Sequence, residues 1–83
     1  MEPNLMQAVL YSKDNCQECE RARMLLDSVK ISYLEYKYQK DFNKKQFESE
    51  FGMNVSFPQV AIGYKHIGGL KETLQYLKEQ KLI

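Results

Sequence analysis

The 83-residue sequence has no tryptophan, one histidine, two prolines and only two cysteines. Two cysteines cannot build the disulfide framework of a small secreted scaffold, and this pair, three positions apart, would close too small a loop to staple one. Two cysteines and one histidine, His66, also fall short of the four ligands of a structural zinc site, so no metal is expected in a single chain. Charge of either sign is not in excess: 12 basic against 11 acidic residues, net +1, gives neither the basic footprint of a nucleic-acid binder nor an acidic disordered segment. No apolar run approaches the ~20 residues of a membrane span, and Met1-Glu2-Pro3-Asn4 has neither the basic start nor the apolar stretch of a secretion signal. There is no internal repeat, low-complexity tract or linker. These absences leave one soluble intracellular domain over residues 1–83, long enough for a modest core, with no membrane and no nucleic-acid partner.

What is present alternates strand and helix patterns. Leu5 to Tyr11 is nearly all apolar and bounded by Ser12-Lys13-Asp14-Asn15, as expected of a strand buried on both faces. Asn15 with Glu18 three residues on gives a capping-box-like start to a first helix at or beside Cys16, in which Cys19, Ala22, Leu26 and Val29 form the buried stripe. Ile31 to Tyr38 alternates, with Leu34, Tyr36 and Tyr38 on one face and Tyr33, Glu35 and Lys37 on the other. Asp41 is the expected cap of a second helix carrying Phe47 and Phe51 and ended by Gly52, followed by a loop over Met53 to Phe57. Pro58 to Ile62 reads as a strand with proline at its first position, Gly63-Tyr64-Lys65 as a hairpin turn and His66-Ile67 as a short return strand. After Gly68-Gly69, Leu70, Leu74 and Leu77 set the stripe of a last helix. The order β-α-β-α-β-β-α makes the first two strands parallel through a helical crossover and the last two antiparallel: an α/β domain with a four-stranded mixed sheet and three helices.

Cys16-Gln17-Glu18-Cys19 is the chemical centre of this pattern. A thiol at the first turn of a helix lies near unpaired backbone N–H groups and the positive end of the dipole, which favours the nucleophilic thiolate. Side chains three apart on a helix lie about 5 to 6 Å apart at Cβ, slightly beyond the ~3.5 to 4.5 Å of a disulfide. A small adjustment in the first turn lets the pair cycle between dithiol and disulfide. Cys16, at the exposed tip, is the expected attacking thiol, and Cys19, on the buried stripe, the resolving one.

Tyr11-Ser12-Lys13-Asp14-Asn15-Cys16-Gln17-Glu18-Cys19, then Phe57-Pro58-Gln59-Val60, then His66-Ile67-Gly68-Gly69, resembles a small dithiol glutaredoxin in order, spacing and context over nearly the whole chain. The resemblance implies a thioredoxin fold and a cytoplasmic, monomeric enzyme that reduces protein disulfides and glutathione mixed disulfides and is re-reduced by glutathione. It makes Cys16 the nucleophile and Cys19 the resolving thiol. It sets Pro58 where the family has a cis proline, and the backbone of Phe57 where the cysteine moiety of glutathione pairs. Glutathione carries two carboxylates and an ammonium. Lys13 suits the glycyl carboxylate; Gly68-Gly69, just before a helix N-terminus, suits the γ-glutamyl carboxylate; Glu72, at a family acidic position, suits the ammonium. For Lys13 and Glu72, a solvated charge and a first-turn dipole partner are the alternatives, and for Gly68-Gly69 a simple turn. Ribonucleotide reductase is a candidate protein substrate by family analogy only.

The sequence departs from the family at three places. Gln17-Glu18 replaces Pro-Tyr between the cysteines, Leu70-Lys71 replaces small or acidic residues after the glycines, and Phe57 stands where valine is usual. Glu18 is expected to oppose the helix field and make Cys16 less acidic, and Lys71 either contacts the γ-glutamyl carboxylate or weakens the ammonium site. Two other functions fit the resemblance: a [2Fe–2S] module built from two Cys16 thiolates and two glutathiones, which Cys19 disfavours, and a thioredoxin-like carrier served by a reductase. His66, the tyrosines of the second strand and the lysines from Lys37 to Lys45 read as packed or solvated surface.

Overall fold

The computed structural model describes residues 7–53, 55–63 and 65–83. The expected strand start at Leu5-Met6, the loop residue Asn54 and the turn residue Tyr64 lie outside the described residues. The elements are β1 (Ala8–Ser12), α1 (Gln17–Ser28), β2 (Tyr33–Lys37), α2 (Lys44–Phe51), β3 (Gln59–Ile62), β4 (Lys65–Gly68) and α3 (Leu70–Glu79). They form one four-stranded sheet in the order β2-β1-β3-β4. β1 runs parallel to β2 and antiparallel to β3, and β3 runs antiparallel to β4. The mixed sheet and element order are those expected from the pattern. Among the described residues no helix is long and apolar enough to cross a membrane.

Alternation along β1 sends Ala8, Leu10 and Ser12 to one face, where all three are buried. Ala8 and Leu10 meet Ala22 and Leu26 of α1, Val60 and Ile62 of β3 and Leu77 of α3 in the main core. Each fully buried leucine there contributes on the order of 2 kcal/mol of transfer free energy. Val9 and Tyr11 point the other way and are only half-buried. Tyr11 meets the rings of Phe42, Phe47 and Phe51 at 5.6, 6.5 and 4.8 Å. α2 is thus held to the sheet's second face by aromatic rings, and β1 is more open there than a strand buried on both faces.

Three expected features differ for local reasons. Helix α2 is capped by Asn43, whose side chain accepts from Gln46 N–H at 2.8 Å while Gln46 returns the bond to Asn43 N–H at 2.8 Å. Asp41, the expected cap, instead accepts from the backbone N–H of Lys37 at 2.9 Å and closes the preceding turn. The buried stripe of α3 runs through Leu70, Thr73 and Leu77, with Leu74 turned outward. Thr73 takes the buried position because its hydroxyl donates to the carbonyl of Gly69 at 2.8 Å, removing the cost of burying it. The return strand extends from Lys65 to Gly68, with Val60 opposite Gly68 and Ala61 opposite His66, so Ile67 is the extra residue of a bulge.

The more apolar face of β2 is the exposed one, with Leu34 49% and Tyr36 40% exposed. Glu35 faces the core side, where Arg23 of α1 grips its carboxylate through Nε at 2.9 Å and Nη2 at 2.7 Å and the buried Ser12 hydroxyl donates to it at 2.5 Å. This network joins the end of β1, the middle of α1 and edge strand β2 just beneath the loop that carries Cys16. The Arg23 hydrogen bonds, followed by that of Ser12, hold the Glu35 carboxyl below its ordinary 4.5 although burial acts the other way. A carboxyl depressed in the folded state contributes stability above its unfolded pKa, and the contribution is lost as pH falls through the folded value. Glu35→Gln is therefore expected to lower stability by about 1–2 kcal/mol at pH 7. The gap to wild type should shrink as pH falls below the ordinary carboxylate range, as measured by urea unfolding at pH 7 and in acid; a gap that stays constant would contradict the role given to its charge.

Candidate redox site

Helix α1 begins at Gln17, and its N-cap is Cys16 itself, with extended backbone at φ −124° and ψ 102°. Its Sγ accepts from the backbone N–H of Cys19 at 3.1 Å. The expected cap, Asn15, takes the preceding left-handed turn position at φ 56°, a conformation that asparagine tolerates. Cys16 is therefore not on the helical lattice, and this is the adjustment that lets the pair close. Cys16 and Cys19 are joined as a disulfide, with Cα atoms 5.2 Å apart. Cys16 is partly exposed while Cys19 has no exposed surface. The asymmetry read from the helical stripe is present in the fold. A Cys16 thiolate in this position would take the same Cys19 N–H and the field of the α1 N-terminus, while Glu18 and Glu20, acidic residues of the first turn, oppose that field.

Two of the expected glutathione residues meet directly. Lys13 Nζ lies 5.7 Å from the Phe57 ring centroid. Lys13 borders both a polar groove of about 470 Å³ that contains Cys16, Gln17, Arg23 and Lys37 and a neighbouring groove of about 230 Å³ lined by Tyr38, Lys44, Phe47 and Phe57. Lys13 is thus shared by the two grooves, the first of which contains Cys16. Phe57 is stacked on Phe47 at 4.4 Å and lies 5.5 Å from Tyr38. A large ring at this position therefore leans on α2. The Phe57–Pro58 peptide is cis, as the resemblance implied, and Pro58 is buried immediately before β3. Tyr38 and Lys44 were not legible as site residues, since strand alternation and a scattered lysine run carry no sign that both turn toward Phe57.

The other three expected residues form a second cluster at the start of α3. Gly68 has φ +132°, and a Cβ added there would lie 2.8 Å from the Cβ of Glu72. Gly69 is the N-cap of α3, and a Cβ on it would stand 3.4 Å from the carbonyl of Pro58, so this corner abuts the proline. The Glu72 carboxylate accepts from the Gly69 N–H at 2.9 Å. The first-turn partner weighed as the alternative for Glu72 is thus what the geometry contains, and that N–H is already taken. His66 is exposed, pairs through Nε2 with Gln59 Oε1 at 2.7 Å and lies 4.6 Å from the Phe51 ring, a packed surface position.

A sequence model of the glutaredoxin family matches residues 8–67. The chain is 32% identical over 60 residues to glutaredoxin 3 of Escherichia coli K12, covering 72% of each. It is 26% identical over 81 residues to glutaredoxin 1 of the same organism, covering 89% of this chain and 95% of the relative. Among solved structures, reduced E. coli glutaredoxin superposes with a TM-score of 0.79 at 22% identity, over 92% of this chain and 98% of the other. A buckwheat glutaredoxin–glutathione complex gives 0.76 at 26% identity, over 95% and 74%.

Proposed function

Because the chain belongs to the glutaredoxin family, and so to the thiol–disulfide oxidoreductases of the thioredoxin fold, we propose that it reduces glutathione mixed disulfides and protein disulfides with glutathione as the electron donor. The observation that carries this reading is the inequality of the two sulfurs: Cys16 is a partly exposed helix cap with an N–H aimed at its Sγ, and Cys19 is sealed in the core.

The Cys16 thiolate attacks one sulfur of the substrate disulfide, forming a mixed disulfide and expelling the other sulfur as a thiolate that takes a proton from water. With a protein substrate, the Cys19 thiolate then attacks Cys16 Sγ, releases the second substrate thiol and leaves the Cys16–Cys19 disulfide. Two glutathiones restore the dithiol. The first attacks Cys16 Sγ and frees Cys19; the second attacks the sulfur of the bound glutathione, giving oxidised glutathione and the Cys16 thiolate. Lys13 holds the glycyl carboxylate of that glutathione, and the backbone of Phe57 beside Pro58 aligns its cysteine moiety. With Gly69 N–H bonded to Glu72, the γ-glutamyl carboxylate falls to the next first-turn N–H groups, those of Leu70 and Lys71, with the Lys71 charge close by. Glu72 Oε1 holds the Gly69 N–H, which leaves Oε2 for the ammonium. The reading further sets the enzyme in a reducing compartment such as the cytoplasm, acting as a monomer. The glutathione complex of the buckwheat relative supports the choice of donor.

The test couples the protein to glutathione and glutathione reductase, with a glutathionylated peptide as substrate and thioredoxin reductase as the competing donor. Turnover with glutathione and none with thioredoxin reductase alone is expected; the opposite result would assign the chain to thioredoxin-like electron transfer. Cys19→Ser separates the two reactions. It should retain mixed-disulfide reduction within about threefold, because that cycle uses only Cys16, and lose dithiol reduction of a protein disulfide by on the order of 10²-fold or more. Equal loss of both would mean that Cys19 acts in every cycle.

A further inference from the structure

A cluster of aromatic rings borders an open pocket that the redox chemistry does not use. It has a volume of about 290 Å³ and lies between α2 and the β1–β2 edge, lined by the rings of Tyr11, Tyr36, Phe42, Phe47 and Phe51 and by Asp41, Gln46 and Glu50. On α2 the i, i+4 pair Phe47 and Phe51 forms the floor and the pair Gln46 and Glu50 the rim. No lysine or arginine lines it. Lys37 Nζ lies 3.7 Å from Asp14, and Lys44 borders the groove at Phe57.

Five π faces with two carboxylates and no cation have the charge pattern of a receptor for an organic cation, because ring quadrupoles and carboxylates both attract an ammonium. The carboxylates stand apart: Asp41 precedes α2 and Glu50 is in its last turn, and the helical rise from Lys44 to Glu50 alone is on the order of 9 Å. Between them the lining is apolar. We propose that this pocket binds a linear aliphatic diamine, a free small molecule whose methylenes cover the rings and whose two ammonium groups meet Asp41 and Glu50. Burial and, after it, the Glu50 carboxylate and Tyr36 raise the Tyr11 phenol above its ordinary value, consistent with Glu50 and Tyr36 converging on that ring. The floor also borders the groove at Phe57, because Phe47 lines both and stacks on Phe57.

The experiment is a titration of the full chain followed by NMR of the aromatic side chains, with 1,4-diaminobutane, butylamine and 1,4-butanediol as probes. Saturable shifts at Tyr11, Tyr36, Phe42, Phe47 and Phe51 are expected with the diamine, about fivefold weaker binding with butylamine, and none with the diol. Butylamine also stands for a lysine side chain of a partner, so monoamine binding as tight as the diamine would overturn the assignment to a free diamine. Binding of the diol would reduce the pocket to an apolar gap under a short helix. The double variant Asp41→Asn/Glu50→Gln keeps the hydrogen-bonding shape of both rim residues, and it should weaken the diamine about tenfold while leaving the thermal midpoint and mixed-disulfide reduction unchanged. Undiminished diamine affinity in that variant would also refute the proposal.

Discussion

Cys16→Ser is expected to reduce glutathione-coupled reduction of a mixed disulfide by on the order of 10³-fold or more, the scale on which enzymes lose activity with their nucleophile. The structure makes this variant unusually clean. Cys16 caps α1 by accepting from Cys19 N–H, and serine is a preferred N-cap residue that can accept the same bond. The helix start, and with it the position of Cys19, should survive, so circular dichroism and the thermal midpoint of the reduced proteins should agree within a few degrees. A serine hydroxyl cannot supply the thiolate, and Cys19 cannot substitute because it has no exposed surface. Residual activity above a few per cent of wild type, measured in the coupled assay, would show that Cys19 is reachable and that the division of roles is wrong.

Gly68→Ala is expected to be the most destabilising single-methyl change in the chain. The backbone there has φ +132°, which side chains rarely adopt, and an added Cβ would sit 2.8 and 2.9 Å from Cβ and Cγ of Glu72. Glu72 cannot relieve the clash by rotating, since its Cβ is fixed to the first turn of α3. Either α3 shifts or β4 loses its pairing of Gly68 with Val60. Strain and overpacking together should cost about 2–3 kcal/mol, which for a chain of this size lowers the thermal midpoint by roughly 10–20 °C. Gly69→Ala should cost less, because a Cβ there meets nothing closer than the Glu72 carboxylate at 3.3 Å, the movable end of a side chain. Thermal unfolding of both variants checks the order, and a Gly68→Ala midpoint within 2 °C of wild type would contradict it.

Much of the fold follows from features that a linear sequence carries. The apolar run ending at Tyr11, the stripe through Cys19, Ala22 and Leu26, and the glycines at residues 63, 68 and 69 suffice for the element order and the parallel-then-antiparallel pairing. The faces of β2 were not legible. Alternation separates Leu34 and Tyr36 from Tyr33 and Glu35, but only the guanidinium of Arg23, twelve residues from Glu35, determines that the charged face is the covered one. Thr73 in place of Leu74 on the α3 stripe, and Asn43 in place of Asp41 at the α2 cap, depend likewise on which hydrogen-bond partner the fold brings within reach.

The candidate site divides along the same line. Cys16 and Cys19 were legible because their spacing and their helix are local. The meeting of Lys13 with Phe57 and the approach of Gly69 to Pro58 join residues 44 and 11 positions apart, and only the family resemblance set them side by side. The bond from Gly69 N–H to Glu72 gave no sequence signal beyond the three-residue spacing, which suits a helix cap as well as a ligand contact. The aromatic pocket was invisible. Phe42, Phe47, Phe51, Tyr11 and Tyr36 come from four separate stretches of chain, and each alone suits an ordinary core or strand face.

The central claim is that Cys16 exchanges its thiolate directly with glutathione. It is tested most directly by treating reduced Cys19→Ser protein with oxidised glutathione, mapping the adduct by mass spectrometry and then adding reduced glutathione. One glutathione per chain, attached to Cys16 and released by the second addition, is the predicted result. An unmodified Cys16, or an adduct that glutathione cannot remove, would contradict it.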